Sequence, residues 1–119
     1  MTSSISQLMD ASLNHVFAER DEERRVAKIA EIYTEDVSFS DADGVVTGRV
    51  ALNTKIQALL DATPGFVFTA VPPVRESNDL GLLEWKYGPA GQDPVVTGMD
   101  IVIVKDGRIA SLHTLLMGP

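Results

Sequence analysis

Residues 97–116 constrain this chain more than any other stretch, because two apolar runs rich in β-branched residues flank Lys105-Asp106-Gly107-Arg108. An Asp-Gly pair between such runs is the strongest short-range signal for a β-hairpin. Asp100 heads the first run, ahead of Ile101-Val102-Ile103-Val104, and the next basic residue is Lys105. A carboxylate so placed lies either at a strand end in water or inside a pocket.

What faces Asp100 depends on the turn. If Asp106-Gly107 is a two-residue turn, Lys105 faces Arg108 and Asp100 falls opposite His113, making an acid/base pair. If Lys105-Asp106-Gly107 is a three-residue loop with Gly107 in a bulge, Val104 faces Arg108 and Asp100 faces Leu112. Thr114 is then diagonal to Asp100, and His113 points to the opposite face. Both turns suit the sequence.

Upstream, the period is helical. Ile5, Leu8, Met9, Ser12, Leu13 and Val16 follow i, i+3, i+4, i+7 spacing, with Ser3 or Ser4 as a cap and Phe17 and His15 at the edges of the stripe. Asp21 is placed to cap a second helix, with Glu22 and Glu23 in its first turn and Val26, Ile29, Ala30 and Tyr33 as its buried stripe. The charged run 19–25 reads as a solvated connector and first turn. Val37-Ser38-Phe39-Ser40 alternates like a short strand before the turn Asp41-Ala42-Asp43-Gly44, and Val45-Val46-Thr47 returns beside it. In a third helix, Leu52, Ile56, Leu59 and Leu60 form the apolar face, and Thr63-Pro64-Gly65 ends it.

Beyond Gly65 the period is two. Residues 66–71 and 80–87 read as strands, with Pro72-Pro73 confining the first to an edge or a bulge. A Gly- and Pro-rich loop leads to the hairpin strands 95–105 and 108–116. Helices gathered on one face of an antiparallel sheet predict an α+β fold. At 119 residues, 45% of them hydrophobic, the chain has one core and is expected to form a single domain over residues 1–119.

Composition excludes several functions. A formal net charge of −7 with scattered Lys and Arg argues against nucleic acid as partner. No apolar run reaches the roughly 20 residues that span a bilayer, and Met1-Thr2-Ser3-Ser4 lacks the start of a signal peptide. No membrane association is expected, and a cytoplasmic location is. There is no cysteine, which removes disulfides and thiolate ligands, and a zinc site on His15 and His113 would have to lean on carboxylates. No metal is expected. Asp41-Ala42-Asp43-Gly44 also resembles a fragment of a calcium loop, but the remaining ligands are missing.

Asp100 is the first candidate for chemistry. A carboxylate in an apolar concavity has its pKa raised by desolvation, so it donates to an oxyanion or serves as acid or base near neutral pH. Asp41 is the second, set against the bland reading of an Asx turn. His113 and His15 are alternative acid/base groups. Trp85 shares a strand face with Leu83 and Tyr87, as core or as pocket wall.

The order of Tyr33-Thr34-Glu35-Asp36-Val37, Gly48-Arg49, Trp85 before Gly88-Pro89, Thr97-Gly98-Met99-Asp100 and Asp106-Gly107-Arg108-Ile109 resembles the nuclear transport factor two-like superfamily. More narrowly, it is similar to the SnoaL-like polyketide cyclase and ketosteroid-isomerase-like branch, over nearly the whole chain. The resemblance implies a cone in the cystatin-like manner: a strongly curved antiparallel sheet wrapped around N-terminal helices, with an apolar pocket at the wide end. It also implies a homodimer through the outer sheet face, no cofactor, and a small apolar or polyketide-like molecule as ligand.

By position, the resemblance puts Asp41 where ketosteroid isomerases keep the base that shuttles a proton at carbon. Asp100 falls where they keep a protonated acid that donates to the enolate oxygen, and where the cyclases keep a single acid/base. Phe17 stands at or near the position of an oxyanion tyrosine, and Ile56 at that of a supporting one. Of that set Tyr33 remains. Loss of such a donor costs on the order of 10²-fold in rate, which argues against steroid isomerisation. The implied alignment favours the bulged turn and sets Phe17, Tyr33, Leu83, Trp85, Val102, Leu112, Thr114 and Leu116 around the pocket with Asp100. A cofactor-free cyclase or isomerase is one expectation, and a non-catalytic binding or dimerisation module of the same fold is the other.

Overall fold

The computed structural model describes residues 4–117. Ser4 caps helix α1 (Ile5–Ser12): its hydroxyl accepts the Gln7 N–H at 3.1 Å and the Gln7 side chain accepts the Ser4 N–H at 2.8 Å. Two otherwise orphaned donors are thereby satisfied reciprocally. The helix then widens into a π turn over Leu13–Phe17, closed by Ala18 N–H on Leu13 O at 3.0 Å. Leu13, Val16 and Phe17 face inward there, while His15 is exposed.

Asp21 caps helix α2 (Glu22–Ile32) through the Arg24 N–H at 3.1 Å. Ile29 is buried as expected, but Val26 is 47% exposed and Ala30 is exposed, so the predicted stripe is corrected to Arg25, Ile29 and Ile32. Arg25 is completely buried, although the run that contains it reads as solvated. Its partners explain the burial. Nε donates to Asn53 Oδ1 at 2.8 Å, Nη1 to Glu19 O at 2.7 Å and Nη2 to Gln57 Oε1, with the Glu22 carboxylate 3.8 Å away. Asn53 and Gln57 belong to helix α3 (Arg49–Ala62), so the guanidinium ties α2 to α3. A buried charge is tolerated when its donors are engaged in this way.

Six strands form one sheet: β1 (Tyr33–Asp41), β2 (Gly44–Thr47), β3 (Phe66–Ser77), β4 (Leu80–Pro89), β5 (Val96–Lys105) and β6 (Arg108–Leu116), in the order β2-β1-β6-β5-β4-β3. The sheet is mixed, which corrects the antiparallel expectation: β1 lies parallel to β6, with Phe39 beside Leu112. Parallel neighbours need a long crossover, and the chain between β1 and β6 supplies one. β3 is an edge strand whose register shifts between Val71 and Arg75, around Pro72-Pro73, where the missing N–H groups do least harm.

Helix α3 contacts β1 and β2 at one side of the sheet and α1 contacts β3 and β4 at the other, so the sheet curves around the helices as a cone. Gly81 lets α1 approach, since a Cβ there would lie 2.4 Å from Ile5 Cγ2 and 2.8 Å from Met9 Sδ. A continuous core of Leu8, Leu13, Val16, Ile29, Tyr33, Leu52, Ile56, Val102 and Leu112 fills the narrow part. Among the described residues no helix is long and apolar enough to cross a membrane.

Arg25→Ala would leave Asn53, Gln57 and the Glu19 carbonyl unpaired around a cavity, so it is expected to destabilise the fold by about 3 kcal/mol in urea denaturation. The exposed Arg24→Ala is expected to change it by less than about 0.5 kcal/mol. Equal effects would refute the assignment of Arg25 as the α2–α3 tie.

Candidate functional site

The site is set by the β5–β6 hairpin. Asp106 and Gly107 have φ of 53° and 77°, the paired positive values of a two-residue turn that matches strand twist. Lys105 faces Arg108 and Val104 faces Ile109, but Ile103 faces Ser111, which leaves Ala110 as a bulge. The bulged turn at Gly107 is therefore corrected: the turn is tight and the extra residue lies inside β6. Asp100 stands directly opposite Thr114 rather than Leu112 or His113. Leu112 and Thr114 share its face, as the bulged alternative expects, and His113 is exposed on the other.

Asp100 is 6% exposed. Trp85 Nε1 donates to its Oδ1 at 3.0 Å and Thr114 Oγ1 donates to the same atom at 2.8 Å. Oδ2 has no hydrogen-bond partner among the described residues. Burial pushes the Asp100 carboxyl up to about 6, and the bonds from Trp85 and Thr114, which favour the charged form, offset part of that rise. Oδ1 thus accepts from two protein donors, and burial favours the neutral form of the carboxyl that the isomerase resemblance implies.

Trp85 reaches Asp100 because its cross-strand partner is Gly98. A Cβ on Gly98 would lie 2.6 Å from Trp85 Cζ2 and 2.8 Å from Cη2, so only glycine lets the indole rest against β5 with its N–H toward Asp100.

Asp100 opens into a cavity of about 490 Å³. Its walls are aromatic: Phe68 stacks on Tyr87 at 4.1 Å and meets Trp85 edge-on at 5.4 Å, and Phe17 packs against Phe39 at 5.7 Å. Val95 and Leu116, each 58% exposed, line the mouth. Tyr87 Oη bonds Thr63 Oγ1, whose own proton goes to Leu59 O at 2.7 Å. Tyr87 is therefore the donor in that pair, and its proton is occupied.

Asp41 lines the same cavity. Its Oδ1 accepts the Asp43 N–H at 2.9 Å and its Oδ2 is 3.3 Å from Lys55 Nζ, which also lies 3.4 Å from Asp43 Oδ2. Burial works against the Lys55 ammonium, but the Asp41 and Asp43 carboxylates outweigh it and its pKa rises. The Asx turn and the cavity position of Asp41 coexist.

Of the residues singled out from sequence, Phe17, Asp41, Trp85, Asp100, Thr114 and Leu116 come together around the cavity. Tyr33, Leu83, Val102 and Leu112 are buried in the core and do not line it. Tyr33 bonds Ser12 through its hydroxyl, and burial drives its phenol well above the usual range. His15 and His113 are exposed and away from Asp100. Sequence reasoning missed Phe39, Phe66, Phe68, Tyr87 and Thr63 as cavity residues. Their signal was present, since Phe66, Phe68, Trp85 and Tyr87 each fall on the inward positions of period-two strands. Among the described residues no cluster of three or more metal-ligating side chains occurs.

The raised pKa of Asp100 carries a stability consequence. Its folded value of about 6 exceeds the ordinary aspartate value of 3.8, so the neutral form favours folding below pH 4 and that support is lost as pH rises through 6. The gap corresponds to about 3 kcal/mol. Asp100→Asn, which keeps an acceptor for Trp85 and Thr114, is expected to be more stable than the parent by about 2–3 kcal/mol at pH 8 and to lose that advantage at pH 4. Urea denaturation at both pH values measures it, and a pH-independent difference would contradict the burial argument.

The sequence matches the SnoaL-like domain family over residues 13–112. Among solved structures, a protein designated an isomerase of the SnoaL-like family from Agrobacterium tumefaciens superposes with a TM-score of 0.87 at 22% identity, over 93% of this chain and 95% of that one. A protein designated a polyketide cyclase from Sinorhizobium meliloti gives 0.72 at 21%, over 90% and 92%. One designated a ketosteroid isomerase from Kribbella flavida gives 0.73 at 15%, over 96% and 78%. No curated protein matches in sequence. At these identities the structural likeness is one of fold, and it is the family match, covering most of the chain on the cone built above, that makes this protein a member of the SnoaL-like domain family.

Proposed function

We propose that this protein is an acid/base enzyme of the cyclase or isomerase type, acting on a small apolar carbonyl compound with Asp100 as the group that moves the proton. The observation that supports this reading best is the inequality of the two Asp100 oxygens: Oδ1 is held by Trp85 and Thr114, while Oδ2 meets no donor among the described residues, and the side chain lines an aromatic cavity. A carboxyl at about 6 is mostly ionised at neutral pH yet holds a proton readily, which suits a group that takes a proton and returns it.

In this scheme Oδ2 removes a proton from the carbon next to the carbonyl, giving neutral Asp100 and an enolate. Return of that proton at another carbon completes an isomerisation. Attack of the enolate carbon on a second carbonyl forms a C–C bond, and the Asp100 proton then goes to the resulting alkoxide, completing a cyclisation. Asp41, with one oxygen on Asp43 and the other on Lys55, contributes a held carboxylate at the wall. The scheme needs no cofactor.

A second reading, a ligand-binding module, draws on the occupied donors. The Trp85 N–H and the Thr114 and Tyr87 hydroxyls are all spent on protein acceptors, and Phe17 and Ile56 carry none. Both readings are compatible with a homodimer through the outer sheet face, where Met99 and Leu115 pair across β5 and β6 and Leu115 is 52% exposed.

Exchange of the α-protons of 2-tetralone in D2O, followed by proton NMR, separates the two. The acid/base reading expects catalysed exchange whose kcat/KM rises with pH through about 6 and falls at least about 10²-fold in Asp100→Asn. Exchange that survives the substitution would remove Asp100 from the chemistry. Binding detected by thermal shift with no exchange at all would favour the binding module.

A further inference from the structure

The larger cavity is lined by no basic side chain among the described residues. A smaller adjoining cavity of about 310 Å³ shares Phe17, Phe39, Asp41, Asp43 and Leu59 with it and adds Lys55. That ammonium is already committed, at 3.3 Å to Asp41 and 3.4 Å to Asp43. One positive charge held between two carboxylates leaves a local net charge of −1. Asp41 is further anchored by the Asp43 N–H at 2.9 Å, so its carboxylate is held beside the cation and offsets it. In the larger cavity, the 6% exposed Asp100 repels a second negative charge in a medium that screens it poorly. The aromatic walls accept neutral surface and cations and offer an anion nothing.

We propose that Asp41, Asp43 and Asp100, three carboxylates lining a cavity that no basic side chain lines among the described residues, act as a charge filter that admits uncharged and cationic groups to the cavity and refuses anionic ones. The ligand portion that enters carries no free carboxylate or phosphate. That this portion is a carbonyl compound rests on the acid/base reading; the filter itself does not.

Trp85 is the chain's one tryptophan and lines the cavity, so it reports directly. Collisional quenching of its fluorescence is compared at equal ionic strength for acrylamide, caesium and iodide. With each constant divided by that of N-acetyltryptophanamide under the same conditions, acrylamide and caesium are expected to quench the parent protein at least twice as strongly as iodide. In Asp41→Asn/Asp43→Asn, which frees Lys55, the iodide constant is expected to rise twofold or more with acrylamide unchanged. Asp43→Asn alone, at a side chain 83% exposed and so benign to folding, is expected to move it in the same direction by less. Glu23→Gln/Glu76→Gln removes the same formal charge from exposed positions that line neither cavity and is expected to leave it alone. Iodide matching caesium in the parent, or an equal rise in both double variants, would overturn the filter.

A second arm, thermal shift with 2-acetonaphthone and 2-naphthoate, keeps the two proposals apart. A shift for the ketone alone supports both. Equal shifts refute the filter and leave the cavity as a ligand site. No shift with either compound, while the quenching pattern holds, counts against the carbonyl reading and leaves the filter standing.

Discussion

Everything in the site depends on two donors converging on one oxygen. Trp85 N–H and Thr114 O–H both spend themselves on Asp100 Oδ1, which holds the carboxyl in place while Oδ2 meets no donor among the described residues. Each donor in turn rests on a backbone feature. Trp85 lies where it does because Gly98 has no Cβ to meet its ring. Thr114 lies opposite Asp100 because Ala110 bulges out of β6, and without that bulge the pairing would bring His113 across and turn Thr114 away.

Two buried charges show how burial serves different ends in the same fold. Arg25 is surrounded by acceptors on Asn53, Gln57, Glu19 and Glu22, and that satisfaction makes it a structural tie between helices. Asp100 is satisfied on one side only, and burial shows up as a raised pKa. Asp41 is a third case: it is on the cavity wall but held by Lys55 and its own turn. The contrast between an incompletely satisfied carboxyl and two well-satisfied charges is what singles out Asp100 as the chemical group.

Much of this was legible in the sequence. The 3.6-residue and two-residue periods located three helices and the strands, Asp21 announced one cap and Ser3 or Ser4 another, and Asp106-Gly107 announced a turn whose length it left open between two residues and three. The family resemblance, not periodicity, set Phe17, Trp85, Asp100, Thr114 and Leu116 around a pocket and Asp41 in a catalytic position, and all six line the cavity. The failures have physical causes. Arg25 read as solvated because its amide partners lie 28 and 32 residues away on α3. Tyr33, Leu83, Val102 and Leu112 share the inward faces of their strands with the cavity residues but lie in the filled part of the cone, and a face says nothing about depth.

What the sequence determined by itself was which residues of one strand share a face: Leu83, Trp85 and Tyr87 on β4, Asp100 and Val102 on β5, and Leu112, Thr114 and Leu116 apart from His113 on β6. Side-chain parity is a local property of an extended chain, so it needs no knowledge of the fold. Which residue stands opposite Asp100, that β1 runs parallel to β6, that Lys55 is captured by the β1–β2 turn, and that Oδ2 meets no donor among the described residues were decided by tertiary structure. Those are relations between segments distant in the chain, set by how far the sheet curves and where a single extra residue is accommodated, and no periodicity within one segment encodes them.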